Sequence, residues 1–227
     1  MSTSSAQRLA LWSWLLIIVG CGAFDLARGV WLALPLFVVA VYAGMMLMKL
    51  ITYPLLDRWQ AWLRPHGVGR WYAIELAVWL VATAIVVGTA SLWLDWRWNP
   101  AVPLRWIGGA IGLIAAAGGA WTAAEMGVAI LVFGSAVVPN SAPQRLITSG
   151  PFAYVRAPSY LADVLLLAGV ALLTGLWLVA IVWLIYTVQA FIHEPLEERD
   201  VAARFGSEYT RYRTNVRRFL PRLTPYR

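Results

Sequence analysis

Two stretches in the second half of the chain carry the residue types best able to do chemistry. The first is Leu146-Ile-Thr-Ser-Gly150-Pro151-Phe152-Ala-Tyr154-Val-Arg156-Ala157-Pro158-Ser-Tyr160. The second is Glu197-Glu198-Arg-Asp-Val201-Ala-Ala-Arg-Phe205-Gly206-Ser-Glu208-Tyr209-Thr-Arg-Tyr212. An apolar run, Tyr160–Ile192, separates them. If that run turns back on itself, a Gly-Pro turn, several tyrosines, an arginine and a carboxylate pair meet around one pocket. Carboxylates accept hydrogen bonds from hydroxyls and amines. Aromatic rings cover a flat heterocycle or face a cation. An arginine forks onto a carboxylate.

Each residue alone has a plainer reading. Glu197-Glu198 beside Arg199 is what a solvated helix face looks like. Arg156 could be a cationic membrane anchor, and Tyr154 and Tyr160 interface aromatics. It is their joint spacing that points to a site. Gly108, Gly112 and Gly118-Gly119 have the spacing of small residues at helix contacts, and packing is the preferred reading over ligand binding. Glu125 and Asp163 are candidates as ionisable residues in or beside membrane segments, while Glu75 reads as structural. His193 stands alone, and one histidine without further ligands makes a poor metal site, so no metal is expected.

The elements that must position these residues follow from composition. The 227 residues are 61% hydrophobic and 13% charged, against about 25% charged for an ordinary soluble domain; mean hydropathy is +0.68. A bilayer crossing takes roughly 20 apolar residues, and Leu9–Phe24, Val30–Leu47, Trp71–Leu94 and Trp106–Val132 qualify. Tyr160–Ile192 is too long for one crossing, and Thr174-Gly175 marks its turn. The expected fold is all-α: a polytopic helical bundle with about six membrane segments, the last two a hairpin, and a helical tail breaking at Phe205-Gly206. We expect one domain, with N-terminal transmembrane helices over 1–103 and a core over 104–227. Leu9–Phe24 lacks a convincing cleavage site and reads as a retained helix. Cys21 alone builds no disulfide framework.

With the N-terminus in the cytoplasm, Arg8, Lys49, Arg58, Arg64, Arg70, Arg145, Arg156 and eight tail arginines lie inside, leaving only Arg28, Arg97 and Arg105 outside. The positive-inside rule favours that orientation, with both termini cytoplasmic. Trp12, Trp14, Trp31, Trp71, Trp93, Trp96, Trp98 and Trp106 fall near segment ends, as interface anchors do. The basic tail and a net charge of +7 suit anionic lipid headgroups and not nucleic acid, for which no groove-presenting domain is left.

The two motif stretches together resemble the isoprenylcysteine carboxyl methyltransferase and phospholipid methyltransferase superfamily. The shared pattern is a Gly-Pro-type turn with Tyr, an Arg-x-Pro step, an apolar hairpin, then Glu-Glu and Phe-Gly-x-x-Tyr-x-x-Tyr. The resemblance covers about the last 80–120 residues and none of the first helices. It implies a membrane-embedded enzyme using S-adenosylmethionine, bound by Gly150, Pro151, Tyr154, Arg156, Tyr160, Glu197, Glu198 and Tyr209. Arg156, Arg217 and Arg218 would place an anionic acceptor. The implied reaction is carboxyl O-methylation of a lipid-like or prenylated acceptor in a bacterial inner membrane, with phospholipid N-methylation as the alternative. Ala157 stands where the family has His or Asn, Asn215 where it commonly has Arg, and Arg217 where it commonly has Pro. These departures keep open a third reading, a non-catalytic protein that retains the fold.

Overall fold

In the computed structural model, residues 5–63, 68–126 and 145–226 are described. Among these the chain is helical, with no strand beyond an isolated bridge between Arg97 and Leu176. The helices are α1 (Ser5–Arg28), α2 (Ala33–Thr52), α3 (Leu56–Leu63), α4 (Val68–Gly88), α5 (Ala90–Trp93), α6 (Val102–Met126), α7 (Pro158–Thr174) and α8 (Trp177–Asn215), with 3-10 turns at Tyr53–Leu55 and Gly150–Ala153. The end of the fourth expected segment and the residues that follow it, together residues 127–144, lie outside the described residues. So do Arg64 and Arg227, and the side chains of Arg8, Trp12 and Trp14.

Among the described residues, four stretches are long and apolar enough to cross a membrane: Ala33–Leu63, Gly69–Gly88, Val102–Met126 and Trp177–Asn215. Helix α7 is apolar but shorter, at 17 residues. Outward-facing Leu76, Leu80, Ile114, Leu184, Ile185 and Val188 are each more than half exposed, a surface suited to lipid and not to water.

Local chemistry explains the boundaries. Both carboxylate oxygens of Asp25 accept backbone N–H groups at the start of α2, from Ala33 and Leu34, each at 2.8 Å. These are donors that a helix start otherwise leaves unpaired. Pro158 opens α7, where its missing N–H costs nothing. Gly175 closes α7 in the left-handed region, φ 69°, with its N–H on Ala171 O at 2.9 Å. The turn is pinned from outside: Trp98 N–H donates to Gly175 O at 2.8 Å, and Trp177 N–H to Trp96 O at 3.2 Å.

The tightest packing is α6 on α7. A Cβ at Gly169 would lie 2.6 Å from Gly112 N and 2.7 Å from Gly108 O, and one at Gly108 would lie 2.7 Å from Gly169 O. The two backbones touch only because these residues lack side chains.

Three expectations are revised. The tail breaks at Gly206, as expected, but does not begin as a helix separate from the hairpin. Instead α8 runs through to Asn215 and kinks at Gly206 (φ 52°, ψ −119°), because Ala190, Glu194, Glu197, Glu198, Val201 and Phe205 continue one inward face at helical spacing. Trp71 and Trp93 are buried; Trp71 packs with Met48 and Leu63 in a small core and is not an interface anchor. Lys49, expected among the loop cations, is 2% exposed.

Candidate functional site

The linker between α6 and α7 and the segment after α8 are bound to each other through their backbones. Gly150 adopts φ +59°, which places it directly against Glu125, and the Ser149 hydroxyl donates to the same carboxylate. Past Asn215 the chain becomes extended and lies along the linker. Arg156 N–H donates to Arg217 O at 3.0 Å, Ala157 N–H to Arg218 O at 3.1 Å, Arg222 N–H to Tyr154 O at 2.9 Å, and Tyr226 N–H to Ala153 O at 2.8 Å. Tyr212 adds a bond from its hydroxyl to Phe152 O at 2.7 Å. Because residue 157 takes part through its amide, alanine serves this pairing as well as histidine or asparagine would.

Two carboxylates of α8 organise the side chains. Glu198 Oε1 pairs with Arg156 and accepts the Tyr209 hydroxyl at 2.7 Å. Its Oε2 accepts from Arg218 at 2.6 Å. Arg218 Nε also lies 2.7 Å from Glu194 Oε2, an ion pair without hydrogen-bond alignment. Burial disfavours the Arg218 cation, but the hydrogen bond to Glu198 and the charges of Glu194 and Glu198 outweigh that and raise its pKa. Glu198 thus ties the linker, α8 and the final segment together.

Glu197, one residue earlier, has different partners. Tyr53 and Tyr160 both donate to its Oε1, at 2.5 and 2.6 Å. Lys49 Nζ donates to the Tyr160 hydroxyl at 3.0 Å. Deeper still, Asp163 accepts from Tyr42 at 2.7 Å and from Tyr186 at 2.5 Å. So α2, α7 and α8 meet at a polar cluster within the bundle.

A cavity of about 230 Å³ lies between these groups, lined by Phe152, Arg156, Tyr160, Glu197, Glu198, Val201, Phe205, Tyr209 and Tyr212 among others. Of the residues proposed from sequence, Arg156, Tyr160, Glu197, Glu198 and Tyr209 meet at its wall. Gly150, Pro151 and Tyr154 stand behind it, shaping the linker. Arg218 reaches Glu198, whereas the Arg217 side chain is exposed and only its carbonyl takes part. His193 bonds to Gln189 O through Nδ1 at 2.9 Å and packs on Tyr53.

Sequence reasoning did not single out Lys49, Tyr42 or Tyr53 as site residues, nor Glu194 as a partner of Arg218. A signal existed for each. Glu194 precedes Glu197 and Glu198 by three and four residues, the spacing of one helix face. Tyr42, Lys49 and Tyr53 recur at seven and four residues, a stripe of polar groups along an apolar helix.

Residues 107–208 match the model of the phospholipid methyltransferase family, within the superfamily that the two motif stretches resemble. No curated protein and no solved structure gives a significant match.

Proposed function

We propose that the chain is an S-adenosylmethionine-dependent methyltransferase of the membrane–cytosol boundary, acting on a lipid-like or prenylated acceptor. The observation that carries this reading is the pairing of unsatisfied polar capacity across one cavity, inside the stretch that matches a methyltransferase family. Arg156 Nε is buried with no hydrogen-bond partner among the described residues. Glu197 lines the cavity with both of its tyrosine bonds on Oε1, leaving Oε2 to accept from a ligand.

These groups suit the donor. Bound S-adenosylmethionine would supply a methyl group on a sulfonium. Glu197 would accept from its ribose hydroxyls or its amine, Arg156 Nε would donate to its carboxylate, and the rings of Phe152 and Phe205 would cover its flat base. Glu198, already saturated by two arginines and a tyrosine, keeps the wall in place. Orientation and exclusion of water then carry most of the rate gain in a displacement at carbon.

The acceptor follows from which proton-accepting groups are on offer. An amine must lose a proton before or during attack; Glu194 and Glu198 are held by arginines, Glu197 is committed to the donor in this reading, and His193 does not line the cavity, which leaves Asp200 as the one carboxylate of the lining without such a role. A carboxylate acceptor needs no base, only a cation to place it. Carboxyl O-methylation is therefore the first reading. Phospholipid N-methylation is the second, favoured by the family that the span matches.

Calorimetric titration of S-adenosylmethionine into detergent-solubilised protein tests the donor. Saturable binding is expected, weakened about 10–100-fold in Glu197→Gln, the range for losing a hydrogen bond to a charged group. No saturable binding by the wild type would overturn the proposal. Transfer of a labelled methyl group to a prenylcysteine analogue or to a total lipid extract then separates the two acceptors.

A further inference from the structure

The family match begins at residue 107, yet the carboxylate at the cavity wall is held partly by a helix far upstream of it. We propose that α2 and the 3-10 turn that follows it are a working part of the donor site, with Lys49 and Tyr53 as positioning residues that hold Glu197 at the cavity wall. This rests on the methyltransferase reading above and extends it to a helix that the matched span leaves out.

The hydrogen bonds run in one direction. Lys49 Nζ donates to the Tyr160 hydroxyl, and that hydroxyl donates to Glu197 Oε1. A phenol that accepts from an ammonium group becomes a stronger donor, because each bond polarises the next. The positive charge is thereby felt at Glu197 through one intervening group. Tyr53 donates to the same oxygen from one turn further along the chain, so two donors fix one oxygen and leave the other directed elsewhere. The ammonium also lies over two rings, 4.2 Å from the centroid of Tyr160 and 5.1 Å from that of Tyr186. Asp163 beyond it has each oxygen bonded to a tyrosine, so the partners of this carboxylate are fixed as well.

A plain packing role does not account for this arrangement. Burying a lysine in an apolar helix is costly unless it is paired. The neighbouring positions Met46, Leu47, Met48 and Leu50 are all apolar, and another such residue would fill the same space. What the lysine adds is charge, delivered to the one carboxylate of the pair that is not already saturated by arginine.

The test is a double-mutant cycle on binding. Dissociation constants for S-adenosylmethionine are measured by calorimetry for the wild type, Lys49→Met, Glu197→Gln and the combined variant, with melting temperatures alongside. Lys49→Met should weaken binding about tenfold in the wild-type background, the low end for a hydrogen bond involving a charged group, and less than twofold when Glu197 is already glutamine. Equal weakening in both backgrounds, or no weakening, overturns the inference and leaves the methyltransferase reading standing. A wild type that does not bind overturns both. Should Lys49→Met fail to fold, Tyr53→Phe removes a single hydroxyl and is run through the same cycle, with the same outcomes deciding.

Discussion

Replacing Gly169 by alanine tests whether the glycines of α6 and α7 serve packing. The new Cβ would meet the backbone of α6: Gly112 N at 2.6 Å, Gly108 O at 2.7 Å and Gly112 Cα at 2.8 Å. Backbone cannot rotate away as a side-chain tip can. Carbon contacts relax at about 3.5–4.0 Å, so the helices must part by roughly 1 Å along their closest line. Overpacking of this kind costs about 1–3 kcal/mol, partly offset by the better helix propensity of alanine, about 1 kcal/mol. Gly112 gives the internal control. A Cβ there meets nothing within 4 Å, so Gly112→Ala should be neutral or stabilising although the residue is buried in the same seam. The assay is the thermal unfolding midpoint of both variants and the wild type in one detergent. The expected order is Gly112→Ala at or above wild type and Gly169→Ala well below it. A Gly169→Ala protein as stable as wild type would refute the reasoning, and so would an equal loss in the two variants.

Two further outcomes separate neighbouring residues by their roles. Arg218→Ala should lower the unfolding midpoint, through loss of charged bonds to Glu198 worth about 1.5–3 kcal/mol and discounted for partial exposure of the arginine. Arg217→Ala, whose side chain is exposed, should stay within about 0.5 kcal/mol of wild type. Asp25→Ala should destabilise by about 1–2 kcal/mol, because two N–H groups at the start of α2 lose their acceptor, with the same midpoint as readout.

Much of this arrangement was legible because it is written in side chains at regular spacing. The turn at Gly175 showed as a glycine in an apolar run too long for one helix, and the partners Arg156, Tyr160, Glu198 and Tyr209 as a motif pair flanking it. What stayed hidden depended on rotation and on backbone. A lysine near the end of an apolar stretch looks the same in sequence whether it snorkels to water or turns inward to Tyr160; only the neighbouring helices decide, and they placed Lys49 inside. Trp71 was obscured for the same reason. The pairing of Arg156, Ala157, Tyr154 and Ala153 with the final segment uses amides and carbonyls, which every residue has, so no residue type announces it. The choice between Arg217 and Arg218 follows from that pairing, since neighbours in an extended chain face opposite ways.

The first part of α8, from Trp177 to Glu197, acts as a ruler. From Trp177, pinned beside Trp96 and Trp98, to Glu197 the helix measures about 30 Å at 1.5 Å per residue, which is the thickness of a bilayer's hydrocarbon core. One element therefore sets both the height of the carboxylate pair and the direction it faces. A single residue gained or lost along that length would swing the pair by about 100°, away from the cavity, and shift it by about 1.5 Å. Depth and aim cannot be adjusted separately, so under the proposed function the place where a donor from water and an acceptor from lipid would meet is fixed by counting residues.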